Sequence, residues 1–118
     1  MSRWFARPVL FVADAQRSLD FYAGKLGFTE DWRYAEADRL LIVQVGREGC
    51  ELILTEQWPD KAGGGLMFIS LDADVLEAAL DGFRANGVEV ADGRWGYDLA
   101  VVTDPDGNQL YFPLPSDS

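Results

Sequence analysis

The chain has 118 residues, of which 48% are hydrophobic and 25% are charged, which suits one globular domain and excludes a disordered chain. The 20 acidic residues outnumber the 10 basic ones, and the formal net charge is −10. Such a surface repels nucleic acid and anionic lipid, so we expect neither nucleic acid nor membrane as a partner.

The sequence contains no histidine, which removes the commonest general base and transition-metal ligand. Ser-His and Cys-His nucleophile pairs are excluded with it. The single cysteine, Cys50, cannot form an internal disulfide, and we interpret it as a small buried hydrophobic residue beside a strand. The first residues lack the apolar segment of a secretory signal, and no apolar run approaches the ~20 residues of a membrane span. We therefore expect a cytoplasmic protein.

The first half of the chain predicts one strand, one helix and three more strands. An apolar strand over 7–14 ends at Asp14, whose carboxylate can cap a helix over 15–27. Gly27 stands where that helix would end in the left-handed region. The three further strands are predicted over 28–35, 39–45 and 51–56.

The second half repeats this order sixty positions later, from Asp14 to Asp74. A strand over 67–74 leads into a helix over 75–87, with Asp74 and Glu77 as a capping box. The final strands are predicted over 88–92, 97–103 and 108–114, and "DPDG" (104–107) predicts a type I turn before the last. The glycine-rich segment 57–65 lacks the Lys-Ser/Thr pair and following helix of a phosphate-binding loop, so it is interpreted as a flexible linker.

The order βαβββ, stated twice, predicts an α+β fold: a single domain over 1–118, with modules at about 5–57 and 65–114. Each module leaves one sheet face bare, so the two sheets should curve into a cup or meet another chain. Strand alternation separates cup from core. The predicted cup residues are Arg7, Val9, Phe11, Glu51, Ile53, Thr55, Met67, Ile69, Leu71, Gln109 and Tyr111. The predicted core residues are Leu10, Val12, Leu52, Leu54, Phe68, Leu110 and Phe112.

The repeat, "VADAQRSLDFYAGKLGF" and "DPDGNQLYF" together resemble the vicinal-oxygen-chelate superfamily of glyoxalase I, extradiol dioxygenases and bleomycin-resistance proteins. The resemblance covers about Arg7 to Pro113. Its length, its acidity and the ending "RWGYDLAVVTDPDGNQLYF" make the chain most similar to the bleomycin-resistance branch. That branch implies a homodimer in which the chains exchange an N-terminal strand. Two clefts at the interface would sequester a flat cationic antibiotic without chemistry.

Enzymes of this superfamily hold a divalent metal through one residue on each of four strands. The resemblance carries those positions to Arg7, Ile53, Met67 and Tyr111. Arginine is permanently cationic, isoleucine has no donor, methionine offers a soft thioether, and the tyrosine phenol stays protonated near neutral pH. We therefore expect no metal, no other cofactor and no catalytic residue, although a carboxylate site from residues such as Glu51 or Asp98 stays open.

Aromatic side chains next to carboxylates favour a flat cationic ligand, through stacking, cation–π attraction and charge pairing. The resemblance carries over Asp31, Trp32, Thr55 and Trp95 as ligand-binding positions. The candidate ligand site therefore comprises Asp31, Trp32, Tyr34, Thr55, Trp58, Trp95, Tyr97 and Tyr111.

The leading hypothesis is a non-catalytic, homodimeric protein of the antibiotic-binding and antibiotic-resistance type. The alternative is a lyase, isomerase or dioxygenase-type enzyme of the same superfamily. That enzyme would be metal-free, through Tyr111, Glu51 or Arg7, or would hold an atypical carboxylate metal site. A third hypothesis is an accessory module whose cup is a dimer contact alone.

Overall fold

A computed structural model describes residues 4–115, which form two four-stranded sheets and two α-helices. The elements in chain order are β1 (Val9–Phe11), α1 (Ala15–Gly24), β2 (Thr29–Glu36), β3 (Arg39–Arg47), β4 (Cys50–Thr55), β5 (Leu66–Phe68), α2 (Ala73–Ala85), β6 (Ala91–Arg94), β7 (Asp98–Thr103) and β8 (Gln109–Pro113). None of the helices in this described range is long and apolar enough to cross a membrane.

The two sheets have the same strand order, β1-β4-β3-β2 and β5-β8-β7-β6. Strand β1 pairs with β4 in parallel, and β5 pairs with β8 in the same way. The other strand pairs of both sheets are antiparallel. The prediction of an α+β fold made of two βαβββ modules with mixed sheets is confirmed.

Helix α1 begins where the sequence predicts it. The Asp14 carboxylate accepts a hydrogen bond from the backbone N–H of Arg17 at 3.0 Å, which satisfies one of the unpaired amides of the first turn. The helix ends at Gly24, and Gly27 (φ 78°) then turns the chain back toward β2. Leu19 and Tyr22 on its buried face pack into the core.

Helix α2 begins two residues earlier than predicted. Asp72 is its N-cap, so the predicted capping box of Asp74 and Glu77 is wrong. The first-turn amides of Val75 and Leu76 bond to the carbonyl of Asp72 at 3.0 Å. The segment "DAD" offers two acidic caps, and a helix from Ala73 to Ala85 buries Leu76, Leu80 and Phe83 against the second sheet. The two N-caps, Asp14 and Asp72, are therefore 58 positions apart (72 minus 14) and not sixty.

Strand β6 also differs from its prediction over 88–92, because it runs from Ala91 to Arg94. Val88 follows α2 directly, and its N–H bonds to the carbonyl of Phe83 while its side chain enters the core. Pairing with β7 starts only at Ala91, opposite Val101.

The segment 57–65, predicted to be a flexible linker, is largely exposed but makes defined backbone hydrogen bonds. A single 3₁₀ turn occupies Pro59–Lys61. The Gly65 N–H donates to Asn108 Oδ1 at 2.8 Å, and a Cβ at Gly65 would lie 2.6 Å from Leu10 Cδ2. This glycine permits close approach of the backbone rather than flexibility.

The core lies between the helices and one face of each sheet. Six of the seven predicted core residues are buried there, namely Leu10, Val12, Leu52, Leu54, Leu110 and Phe112. The prediction for β5 is inverted, since Met67 and Ile69 are buried whereas Phe68 is exposed. Parallel pairing sets Met67 opposite Leu110 and Phe68 opposite Tyr111, and a slip of one residue exchanges the two faces of a strand. Leu71, another predicted cup residue, packs half-buried against the core.

The turn before β8 joins the two modules. The Gly107 N–H bonds to the Asp104 carbonyl at 3.0 Å, as the predicted turn requires. Asp106 Oδ1 accepts from the Ala13 N–H at 3.0 Å and from Arg17 at 2.8 Å. Asp104 accepts the buried Tyr22 hydroxyl at 3.0 Å. Burial first, and then the negative charge of Asp104, raises the pKa of Tyr22 far above its usual value.

Candidate functional site

Each sheet has one face against the core and one face without a helix. The first open face belongs to the sheet of β1 to β4, and strand register assigns to it Val9, Phe11, Trp32, Tyr34, Ile42, Gln44, Glu51, Ile53 and Thr55. The second open face belongs to the other sheet and comprises Phe68, Trp95, Tyr97, Val101 and Tyr111. Most of the exposed large apolar side chains of residues 4–115 lie on these faces, as Val9, Trp32, Tyr34, Phe68, Trp95 and Tyr97 do.

A β-bulge at Asp31 shapes the first open face. Glu30 pairs with Val45 and Trp32 pairs with Gln44, so Asp31 is the extra residue of β2. A Cβ at Gly46 would lie 2.8 Å from Asp31 Oδ2, which means that the carboxylate lies over this glycine. Neighbouring residues of a regular strand point to opposite faces, whereas the bulge lets Asp31 and Trp32 share one face.

A buried glutamine organises the polar groups of this face. Gln44 is 7% exposed, and its Oε1 accepts the indole N–H of Trp32 at 2.8 Å. Its Nε2 donates to Asp31 Oδ2 at 3.2 Å and to Glu51 Oε2 at 3.4 Å. Glu51 in turn pairs with Arg7, whose Nε lies 3.3 Å from Oε1. The network holds one face of an indole and two carboxylates in fixed positions on an otherwise apolar sheet.

The other predicted residues of the first module differ in accessibility. Tyr34 is half-exposed opposite Ile42. Thr55 is buried, and its hydroxyl accepts the N–H of Gln57 at 3.1 Å, so this group serves the turn after β4. Trp58 follows that turn and meets Phe11 edge-on, with ring centroids 5.6 Å apart.

Four aromatic rings form the centre of the second open face. Phe68 lies among the other three, with centroid distances of 5.2 Å to Trp95, 6.0 Å to Tyr97 and 5.9 Å to Tyr111. The β6–β7 turn carries Trp95 and Tyr97, and it is closed by a hydrogen bond from the Trp95 N–H to the Tyr97 carbonyl at 3.0 Å. Tyr111 also donates its hydroxyl to Gln109 at 3.4 Å.

The structure thus divides the eight predicted residues between two surfaces. Asp31, Trp32, Tyr34, Thr55 and Trp58 belong to the first module, and Trp95, Tyr97 and Tyr111 belong to the second. Sequence reasoning missed Gln44 and Phe68. The polar Gln44 within "LLIVQV" was a usable signal, and pairing β5 with β8 would have placed Phe68 beside Tyr111.

Two grooves of the chain lie away from these residues. One of about 600 Å³ is lined by Cys50, Val75, Phe83 and others, and one of about 420 Å³ by Phe21, Lys25, Val101 and others. None of the eight predicted residues lines either groove. Cys50 is half-buried in the larger groove, and burial raises the pKa of its thiol.

The donor set at the superfamily's metal positions does not fit a divalent cation. Met67 is buried in the core, so its placement in the cup is wrong. Arg7 lies seven residues before the cap Asp14, and the residue seven before the observed cap Asp72 is Gly65, which has no side chain to bind a metal. The register instead sets Val9 opposite Ile53 and Phe68 opposite Tyr111, which offers neither carboxylate nor imidazole. Within residues 4–115, no three His, Cys, Asp or Glu side chains converge as metal ligands would.

The sequence and the fold were compared with known proteins. The family model of the Glyoxalase/Bleomycin resistance protein/Dioxygenase superfamily matches residues 4–112. The chain belongs to this superfamily. Comparison with curated protein sequences gave no match.

Solved structures of the superfamily share the fold over nearly the full chain. A glyoxalase/bleomycin resistance protein from Catenulispora acidiphila is 24% identical with a TM-score of 0.77, covering 97% of this chain and 100% of its own. The bleomycin-binding protein from Streptomyces verticillus, complexed with copper(II)-bleomycin, is 23% identical with a TM-score of 0.72, covering 98% and 100%. The antibiotic-binding protein TnmS3 from a Streptomyces species is 20% identical with a TM-score of 0.71, covering 98% and 100%.

Proposed function

We propose that this protein binds and sequesters a small, flat, cationic aromatic compound, such as an antibiotic of the bleomycin family, without chemical conversion. The observation that carries the proposal is the first open face, where the exposed Trp32 lies beside Asp31 and both bond to the buried Gln44. An indole face next to a carboxylate attracts a flat cation through stacking and charge. We place this activity in the cytoplasm.

We propose further that the binding clefts form between two copies of the chain, which exchange an N-terminal strand. Two sheet faces that carry exposed aromatic residues are uncovered in one chain, and neither groove described above is lined by any of those aromatic residues. Burying an exposed aromatic side chain is worth roughly 1.5–3 kcal/mol, which favours covering both faces. Strand β1 has only three residues at a sheet edge, and Trp4 before it is exposed.

One domain over 1–118, with modules at about 5–57 and 65–114, is the unit we propose for this dimer. A single buried cluster contains residues of both modules, from Leu10 to Phe112. The solved relatives support the proposed ligand class, since one is named as bleomycin-binding and another as antibiotic-binding.

Isothermal titration of the purified chain with metal-free and copper(II)-bleomycin tests the proposal. We expect saturable binding by one or both forms, with lowered bleomycin sensitivity of cells that express the chain. Trp32→Ala should weaken binding, whereas Val75→Ala, an exposed residue of α2, should not. Absence of binding at tens of micromolar ligand, together with unchanged drug sensitivity, would rule out sequestration of this family.

A further inference from the structure

We infer that Phe11 and Trp58 form a two-ring site for an ammonium group, and that the chain's own Lys61 occupies this site until a ligand ammonium displaces it. The inference deepens the proposed function and rests on it for the ligand of the first open face, but it concerns residues other than Trp32 and Asp31. It names a second point of recognition, for an alkylammonium group, at the end of the first open face.

The geometry is that of a cation shared by two rings. The Phe11 and Trp58 centroids are 5.6 Å apart, and the ring planes are inclined by 70°. The Lys61 Nζ lies 5.4 Å from the Phe11 centroid and 5.0 Å from the Trp58 centroid. Both distances fall within the ~6 Å over which an aromatic face attracts a cation.

Local backbone structure brings the three residues together. Trp58 precedes the 3₁₀ turn Pro59–Lys61, and the Lys61 N–H bonds to the Trp58 carbonyl at 2.9 Å. Three residues make one turn of a 3₁₀ helix, so residue 61 returns over residue 58. Phe11 is held against this segment because its carbonyl accepts the N–H of Gly63 at 3.4 Å and the side-chain amide of Asn108 at 3.2 Å.

The Lys61 ammonium contacts two aromatic rings and no carboxylate of the described residues, although the chain is rich in acidic side chains. The chain has 20 acidic residues, yet none within residues 4–115 makes an ion pair with Lys61. Glu56, five residues before Lys61, is instead paired with Arg39 at 2.6 Å. The two rings are therefore the partners of the Lys61 ammonium. This contact indicates that the pair can bind an alkylammonium group.

The site is open to exchange. Trp58 is 46% exposed, Lys61 is exposed, and Phe11 lies on the first open face in register with Thr55. A ligand on that face reaches the rings without rearrangement of the sheet, but its ammonium must compete with a tethered one. A tethered group acts at an effective concentration in the millimolar range. Lys61 consequently lowers the affinity for weakly cationic ligands and favours those whose ammonium binds the rings more strongly.

Tetramethylammonium tests this site directly, and tert-butanol is its uncharged counterpart of similar shape. We propose NMR titration of the folded chain, following the indole N–H signal of Trp58, with equal concentrations of sodium chloride as the salt reference. Lys61→Gln should bind tetramethylammonium about fivefold more tightly than the unmodified chain, because the internal competitor is gone. Lys25→Gln, which removes a lysine at the end of α1, is the charge-matched control and should leave the affinity unchanged.

Three results would contradict the inferred ammonium site. Equal tetramethylammonium affinity in Lys61→Gln and in the unmodified chain would show that Lys61 does not occupy the site. Equal responses to tetramethylammonium, tert-butanol and sodium chloride in Lys61→Gln would show that the rings do not select an ammonium. Loss of the specific response of the Trp58 indole N–H on adding Phe11→Leu to Lys61→Gln is expected, and its persistence would show that the ammonium does not need the second ring. These results leave bleomycin binding to be judged by its own titration.

Discussion

At the scale of single residues, two buried polar side chains, Tyr22 and Gln44, make hydrogen bonds with different roles. Tyr22 bonds to Asp104 across the module boundary, and Gln44 holds Trp32 and Asp31 on the first open face. The first contact joins the two modules, and the second belongs to the proposed ligand site. Substitutions at the two positions should therefore separate stability from binding.

The buried Tyr22 hydroxyl should make the folded chain lose stability at high pH. Its pKa is raised in the folded chain, mainly by burial, so ionisation is easier after unfolding. The stabilisation is fully present below the unfolded pKa of about 10 and is lost as pH rises above it. Urea unfolding of Tyr22→Phe should show a stability about 1 kcal/mol lower near neutral pH and a weaker decline above about pH 10. An unchanged alkaline decline in Tyr22→Phe would assign it to other groups.

Gln44→Glu should lower the free energy of unfolding, and this loss should grow as the pH rises. The new carboxylate would lie between Asp31 and Glu51, so its folded pKa should rise above the unfolded value of about 4.3. The penalty should be absent below that pH and should grow to about 1–3 kcal/mol near neutrality. Urea unfolding of both chains at about pH 4 and pH 7 measures the difference. An equal difference at both values would mean that charge repulsion is not the cause.

At the scale of elements, the order of helices and strands along the chain follows from the sequence, whereas strand register does not. Asp14 is a correctly predicted cap because it is the only acidic residue next to its helix start. In the second module both Asp72 and Asp74 are possible caps, and the capping signal alone does not choose between them. The helix begins after Asp72, whose carbonyl accepts the amides of Val75 and Leu76.

Strand β5 shows the same limit for the candidate site. Its three residues carry too short an alternation to fix a face, and pairing with β8 turns Phe68 outward. The resemblance and the neighbouring carboxylates select Trp32, Tyr34, Trp95 and Tyr97 as candidate ligand-binding residues, and all four are exposed. Gln44 is not selected, because its role depends on the bulge at Asp31, which arises from strand pairing.

The segment between the modules predicts unequal effects of two glycine substitutions. Gly65→Ala would place a Cβ 2.6 Å from Leu10 Cδ2 and 2.7 Å from Asn108 Oδ1, so we expect a loss of about 1–3 kcal/mol. Gly24→Ala in α1 meets no atom within 4 Å and should be neutral or stabilising by up to about 1 kcal/mol. Urea unfolding of both variants tests this pair. Similar effects would indicate that the linker relaxes freely around Gly65.

At the scale of the whole molecule, charge opposes the proposed dimer. Two chains at −10 each would carry −20 in total, and like charges repel across an interface. Salt screens this repulsion over a Debye length of about 8–10 Å, so the dimer should tighten as salt rises. Sedimentation at about 0.05 M and 0.5 M sodium chloride measures the dissociation constant. Dissociation at the higher concentration would instead indicate an interface held by ion pairs.

Metal removal should leave binding intact. The positions that hold metal in enzymes of the superfamily offer no suitable donors here, since Val9, Ile53 and Phe68 lack any. Dialysis against a chelator, followed by titration with metal-free bleomycin, should give the same affinity and the same unfolding curve as before. Lower affinity, restored by one divalent ion, would favour the enzyme hypothesis.

The contrast between the two open faces has a directional consequence. Carboxylates and an amide lie among the rings of the first, whereas the second is centred on Phe68, Trp95, Tyr97 and Tyr111. A cleft with one wall of each kind would be polar on one side and aromatic on the other, so a guest with one charged edge would bind with that edge toward the first face. Two-fold symmetry would then point the two guests of a dimer in opposite directions.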